Sequence, residues 1–120
     1  MNIERTQSTE LILDLEGTLS RFGGDRELFT DMVGFFFEDA PALCDELQAA
    51  VKKEDALLVR KKSHALKGLI ASCGGVRAAH AAQRLEYAGE TSDLEAMEPL
   101  FTTLRDEFER LKTALLPYRA

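Results

Sequence analysis

Two residues about one helical turn apart, His64 and Lys67, have side chains suited to handling a phosphoryl group, and Gly68 follows them directly. A neutral imidazole is a competent nucleophile near pH 7, and a lysine ammonium is a compact charge that suits a phosphoryl oxygen. Residues three and four positions apart lie on one side of a helix, so the three would be neighbours. Glycine in a helix interior costs about 1 kcal/mol relative to alanine. We therefore interpret Gly68 as a clearing that lets another molecule approach His64.

The predicted helix that carries His64 has an apolar side, and His64 lies opposite to it. At about 100° per residue, Val59, Ile70 and Cys73 fall within about 60° of Leu66. His64 lies about 160° from Leu66 and should therefore face solvent. Small and basic residues on the outward side are the candidates for contact with a partner: Arg60, Lys61, Ala71 and Gly75.

The order of these residues resembles the H-x-x-K-G…G…L-E signature of the histidine phosphotransfer (HPt) domains of bacterial phosphorelays. The signature is carried here by three segments: His64-Ala65-Leu66-Lys67-Gly68, Gly74 and Leu85-Glu86. Upstream, the segments 21–25 and 36–41 also resemble the first helices of that family, and the resemblance covers about residues 14 to 116. Leu69 departs from the pattern, because many members have a small or polar residue after the glycine.

The resemblance implies that the protein is a phosphocarrier. His64 would accept a phosphoryl group from an aspartyl phosphate on a receiver domain and pass it to another receiver, while Lys67 would hold the phosphoryl oxygens. Receiver domains of response regulators or hybrid sensor kinases would be the partners, and the carrier would be a monomer. No cofactor or metal of its own is implied, since Mg²⁺ would belong to the acidic pocket of the receiver.

Two other classes of function are compatible with parts of the sequence. A histidine kinase would need an ATP site and usually an acidic residue directly after the histidine, but residue 65 is alanine and no Gly-rich nucleotide loop is present. We therefore expect a phosphotransfer intermediate rather than an enzyme, with the phosphorylatable N-terminal domain of a chemotaxis-type kinase as an alternative. A structural or adaptor bundle is the other alternative, and it predicts that His64 can be replaced without effect.

Length and composition predict one domain comprising residues 1–120. A chain of 120 residues with 45% hydrophobic residues is enough for one core and too short for two. No stretch approaches the roughly 18 apolar residues of a membrane span, and the N-terminus lacks the apolar region of a signal peptide. We expect a cytoplasmic protein. Cys44 and Cys73 are far apart with no CxxC pattern, which argues against a disulfide framework or a zinc site.

The charge of the chain is −6, which argues against a nucleic-acid partner. Basic residues are nevertheless concentrated around His64: Lys52, Lys53, Arg60, Lys61, Lys62 and Lys67. Such a run can be simply a solvated surface. On an acidic protein it can also steer an acidic partner toward the site.

The periodicity of apolar residues predicts an all-α fold. We expect a first short helix over Thr9–Ser20, closed by a turn at Gly23-Gly24, and a second helix capped by Asp25. Pro41 suits the first turn of a further helix that buries Leu43, Leu47 and Val51. The run of phenylalanines from Phe35 to Phe37 is too long for one face, so at least one of these rings should be exposed.

Turn and capping residues divide the second half of the chain. Asp55 should cap the helix of His64, Gly74-Gly75 should end it, and the next helix should run from about Gly75 to Ala88 and end at Gly89. Ser92 to Glu95 resembles a capping box. Pro99 should cause a kink or a short turn before a last helix over Glu98–Leu116. Short connections then favour an antiparallel up-and-down four-helix bundle with an additional short N-terminal helix.

Overall fold

The computed structural model describes residues 10–120, which form five α-helices and one 3₁₀-helix and contain no strand. We number the helices in chain order: α1 Leu15–Arg21, α2 Arg26–Lys52, α3 Ala56–Ser72, α4 Val76–Glu90 and α5 Leu94–Leu115, followed by the 3₁₀-helix Leu116–Tyr118. Helices adjacent in sequence pack side by side, and α5 closes the bundle against α2. The predicted four-helix bundle with an additional N-terminal helix is confirmed.

The first helix is shorter than the sequence suggested. It begins at Leu15, because Asp14 is its N-cap and accepts a hydrogen bond from the Gly17 amide at 3.0 Å. The predicted start at Thr9 lies outside the described residues. The backbone amide of Asp14 also donates to the Gly74 carbonyl at 2.8 Å, which fixes α1 against the turn between α3 and α4.

The predicted break at Pro41 is wrong. The helix α2 is 27 residues long and runs from Arg26 to Lys52 through Pro41. Proline in a helix interior removes a backbone hydrogen bond and costs about 3 kcal/mol. Burial on both sides of Pro41 outweighs that cost, because one continuous apolar stripe runs along α2 into the core: Phe29, Val33, Phe36, Ala40, Cys44, Leu47, Ala50 and Val51. The helix begins where predicted, with Asp25 Oδ1 accepting from the Leu28 amide at 3.0 Å.

The helix that carries His64 has the predicted ends. Asp55 Oδ1 accepts from the Leu58 amide at 3.1 Å. Gly74 follows the helix with a φ of +86°, a backbone conformation that favours glycine. This well-defined end lets α4 return antiparallel to α3, which brings residues of both helices to one surface.

Three predictions for the last two helices are wrong. Gly89 lies inside α4, which ends at Glu90. A Cβ at Gly89 would be 2.7 Å from the Arg60 amide nitrogen, so the glycine permits close packing of α4 on α3. Asp93, not Ser92, is the N-cap of α5, and no capping-box hydrogen bond forms. The last helix begins at Leu94 and not at Glu98, so Pro99 lies within α5 and the predicted short turn is absent. Pro99 is exposed, so water can satisfy the carbonyl that loses its helical donor.

Candidate functional site

His64 lies on the outward side of α3, as the apolar periodicity predicted. Its side chain is 70% exposed. The residues predicted to lie on the opposite side are buried: Val59, Ser63, Leu66, Ile70 and Cys73. Packing of this apolar side therefore fixes the direction in which the imidazole points.

Glu86 of α4 contacts both of the predicted chemical groups of α3. Its Oε2 lies 3.0 Å from His64 Nδ1, and its Oε1 lies 2.7 Å from Lys67 Nζ. The Glu86 side chain is only 20% exposed, so the two α3 residues are joined through a largely buried carboxylate. His64 and Lys67 are thus held near each other by their contacts with the same carboxylate, Glu86.

The environment of Glu86 keeps it ionised at neutral pH. Burial raises its pKa, but hydrogen bonds and positive charge from Lys67 and His64 lower it by more, so the pKa lies below its ordinary value of 4.5. An ionised carboxylate only accepts hydrogen bonds. His64 must therefore carry its proton on Nδ1 to donate to Glu86, and this leaves Nε2 as the nitrogen with a free lone pair in the neutral ring.

Glu86 is part of the family signature, but no role was predicted for it. The signal that could have found it is the turn at Gly74-Gly75. His64 lies ten residues before Gly74 and Glu86 eleven residues after Gly75. When one turn connects two antiparallel helices, residues at about the same distance before and after the turn lie opposite each other.

Gly68 has the open surroundings that the clearing interpretation requires. Apart from the adjacent backbone of the helix itself, no heavy atom of the described residues lies within 4 Å of the position that a Cβ would take. Close helix packing therefore does not explain the glycine. The carbonyl of Gly68 accepts a hydrogen bond from Ser72 Oγ at 2.8 Å, and the residue is exposed one turn beyond His64.

The structure places three of the four predicted partner-contact residues on the outward surface. Arg60, Lys61 and Ala71 are exposed. Gly75 is buried, and a Cβ there would lie 2.6 Å from Leu111 Cδ2. Its prediction as a docking residue is wrong because α3 ends at Ser72 and Gly75 is already the N-cap of α4.

The remaining candidate groups are placed away from His64 or in the core. Cys44 and Cys73 are buried free thiols, and burial raises the pKa of Cys73 to about 11. His80 is half exposed and pairs through Nδ1 with Glu10 in a groove of about 570 Å³ between α4 and α5. Over residues 10–120, no group of three or more potential metal-ligating side chains is found.

No helix within the described part of the chain is long and apolar enough to cross a membrane.

Comparison with known proteins identifies the family. Residues 31–114 match the family model of the Hpt domain. The fold is similar to the crystal structure of histidine-containing phosphotransfer protein B (HptB) from Pseudomonas aeruginosa PAO1, with a TM-score of 0.79 and 22% sequence identity over 88% of this chain and 92% of that chain. No curated protein matches the sequence significantly.

Because the family match covers more than half of the sequence, the chain belongs to the Hpt domain family. It is a histidine phosphotransfer protein of a phosphorelay, a class that works with receiver domains.

Proposed function

We propose that His64 is the phosphoacceptor and that the reacting atom is Nε2. The contact between Nδ1 and Glu86 Oε2 at 3.0 Å carries this proposal, because it uses one ring nitrogen of a side chain that is 70% exposed and leaves Nε2 for the reaction. Glu86 acts as a positioning residue. It sets the tautomer and holds the ring in one orientation.

The transfer step follows from this arrangement. The Nε2 lone pair of His64 attacks the phosphorus of an aspartyl phosphate on a receiver domain, and the bond between phosphorus and the aspartyl oxygen breaks with its electron pair leaving on the carboxylate. The Nδ1 proton stays in its hydrogen bond to Glu86. The positive charge that the ring gains is thereby stabilised by an adjacent carboxylate. Transfer to a second receiver is the reverse of this step.

Lys67 stabilises the phosphoryl group in this proposal. Its ammonium has three donors and forms an ion pair with Glu86, with Nζ 2.7 Å from Oε1. These donors can reach phosphoryl oxygens while the ion pair holds the ammonium in place. Glu86 therefore holds the nucleophile and the cation in one constellation before any partner arrives, which reduces the ordering needed at the moment of transfer.

The outward side of α3 is the proposed docking surface for receivers. Arg60 and Lys61 make no ion pair with any residue in the 10–120 range. They can attract the acidic pocket of a receiver, whose Mg²⁺ the carrier itself does not need to bind. Ala71 and Gly68 keep the surface low above His64, so that the loops of the receiver can reach Nε2.

Several finer features of the phosphocarrier are part of the same proposal. We infer a single domain, a monomer, a cytoplasmic location and no ATP site of its own. The single domain, the location and the lack of an ATP site are supported by the sequence arguments on size, apolar content and motifs, and the monomer by the resemblance to the family.

A transfer experiment tests the proposal directly. The protein is incubated with a receiver domain carrying radiolabelled aspartyl phosphate. Label that is lost in acid and retained in base is expected on His64, and NMR of the modified ring should show substitution on Nε2. Label on another residue would refute the site, and substitution on Nδ1 would refute the role of Glu86.

A further inference from the structure

The outward side of α2 has large apolar side chains without a partner. Phe35 is 52% exposed and Leu28 is 41% exposed. They are seven residues apart and therefore lie in one row along the helix. The next residue, Phe36, is fully buried, so the two adjacent rings have opposite environments.

Gly34 opens a recess next to Phe35. It lies in the interior of α2, where glycine is unfavourable, and no heavy atom lies within 4 Å of the position of its missing Cβ. The recess has a volume of about 220 Å³ and is lined by Thr30, Asp31, Gly34, Phe35, Glu38 and Ala120. Neither a turn nor close packing accounts for this glycine, just as neither accounts for Gly68.

Acidic side chains predominate around this recess. Between Arg26 and Lys52 the sequence has no lysine or arginine and six acidic residues, all of them exposed: Glu27, Asp31, Glu38, Asp39, Asp45 and Glu46. Among the described residues only Glu46 of these six has an ion-pair partner, Lys62 at 3.2 Å. The nearby Arg119 stacks on Phe37, with its guanidinium carbon 4.6 Å from the ring centre, and makes no ion pair within residues 10–120.

We propose that the outward side of α2 is a second docking surface, separate from His64, for a basic polypeptide segment that places an apolar side chain in the Gly34 recess beside Phe35. Charge complementarity selects this occupant. A second copy of the chain paired symmetrically through α2 would bring two acidic surfaces together, and nucleic acid or anionic membrane would be repelled for the same reason. Cationic side chains of the bound segment that pair with Asp31 and Glu38 would also lie beside the aromatic ring of Phe35.

This surface goes beyond the transfer of phosphate, because no step at His64 depends on it. Receivers would be attracted to the basic side of α3, whereas the α2 surface would attract partners of the opposite charge. The two surfaces would let one small carrier distinguish two classes of partner.

A peptide of defined composition tests the proposal. The probe is a synthetic peptide of about 15 residues with leucine and lysine at helical spacing, and the comparison peptide has glutamate in place of lysine. Binding to the isotope-labelled protein is measured by NMR titration at about 50 mM and about 500 mM NaCl. We expect saturable binding of the lysine peptide alone, with the largest shifts between Leu28 and Ala42 and weaker affinity at high salt.

Matched variants separate a local surface from overall charge. Asp31→Lys combined with Glu38→Lys should weaken binding at least about tenfold, and so should Phe35→Ala, corresponding to about 1.4 kcal/mol. Glu95→Lys combined with Glu98→Lys changes the net charge equally on exposed positions of α5 and should change binding less than about threefold. His64→Gln should bind the lysine peptide normally. Peptide binding at α2 can therefore be judged separately from phosphate transfer at His64. Equal losses in both charge variants, shifts centred elsewhere, or no saturable binding would overturn the proposal.

Discussion

The two histidines of the chain share one feature and differ in their surroundings. His64 Nδ1 contacts Glu86, and His80 Nδ1 contacts Glu10, so each imidazole has a carboxylate on the same ring nitrogen. Both side chains reach solvent, with exposures of 70% and 49%. An exposed imidazole paired with a carboxylate therefore does not by itself distinguish the proposed phosphoacceptor His64 from His80.

The difference lies in what holds the carboxylate and what surrounds the ring. Glu86 is 20% exposed and is held from its other oxygen by Lys67, whereas the side chain of Glu10 is 36% exposed and belongs to the segment before α1. One turn beyond His64 is the open position Gly68, but one turn beyond His80 is Arg84. The comparison teaches that a constrained carboxylate, an adjacent cation and free access together distinguish the site at His64.

The largest expected effect comes from removing each imidazole in turn. His64→Gln should abolish phosphate acceptance while retaining the helical fold, because its side chain is exposed and makes no core contact. His80→Gln should accept phosphate like the parent. Circular dichroism checks the fold, and transfer from a labelled receiver checks acceptance. Label that persists on His64→Gln would refute the distinction between the two histidines, and a parent protein that accepts no label would favour the adaptor alternative.

The next largest effect should come from making the surroundings of His64 resemble those of His80. Gly68→Gln places a long side chain one turn beyond His64, where His80 has Arg84. We expect a folded protein that no longer transfers phosphate, because the side chain fills the space through which receiver loops approach. Thermal melts and transfer rates decide the matter. If this variant unfolds, the glycine serves packing; if it transfers normally, the clearing has no function.

Glu86 and Glu10 should have unequal effects although each contacts an imidazole. Loss of a hydrogen bond to a charged group costs about 1.5–3 kcal/mol, so Glu86→Ala should slow transfer about tenfold to a hundredfold, whereas Glu10→Ala should leave the rate unchanged. Rate measurements with one receiver under single-turnover conditions test this. Equal rates for both variants would remove the positioning role from Glu86.

The same contact makes a prediction for stability at low pH. The pKa of Glu86 is lower in the folded protein than its ordinary value of 4.5. Its contribution to stability is therefore present above about pH 4.5 and is lost as the pH falls through the lowered value. Urea unfolding at several pH values should show a smaller acid loss for Glu86→Ala than for the parent. An identical pH profile would show that the lowered pKa does not contribute to folding.

Lys67 and the more distant cations should respond differently to salt. If Lys67 holds phosphoryl oxygens, Lys67→Ala should slow transfer at all ionic strengths. Arg60→Ala and Lys61→Ala should act mainly on association, and their effects should fade in about 1 M salt, where charges are screened beyond about 3 Å. Salt titrations of the transfer rate distinguish the two cases. Equal effects that disappear together at high salt would make Lys67 part of a steering field only.

Local signals predicted the parts of the fold that depend on neighbouring residues. Asp25 and Asp55 cap helices as expected, because an aspartate before an apolar run can accept from an amide three residues on. Apolar spacing likewise predicted that His64 faces away from the core. Pro41 does not begin a new helix, because the apolar stripe that carries α2 through it is buried against other helices, and that packing is not visible locally.

The glycines and Glu86 show why the rest required the three-dimensional structure. Gly68 is open, whereas Gly75 and Gly89 are packed against neighbouring helices, yet the sequence presents all three as the same residue. Glycine serves both free access and close approach, and only the neighbouring helix distinguishes the two. Glu86 reaches His64 across 22 sequence positions, so its role depends on the exact pairing of α3 with α4.

The smallest expected effect concerns the stability cost of the clearing beside His64. Gly68→Ala should raise the free energy of unfolding by up to about 1 kcal/mol, because alanine favours the helix and no heavy atom lies within 4 Å of the new Cβ. Gly89→Ala is the matched control. It should destabilise the protein, since its Cβ would lie 2.7 Å from the Arg60 amide nitrogen. Transfer by Gly68→Ala should decrease only modestly, because a methyl group is small. Chemical unfolding of both variants tests the contrast: a destabilised Gly68→Ala would mean that this position is constrained by the backbone after all, and the open surroundings of His64 would then need another explanation.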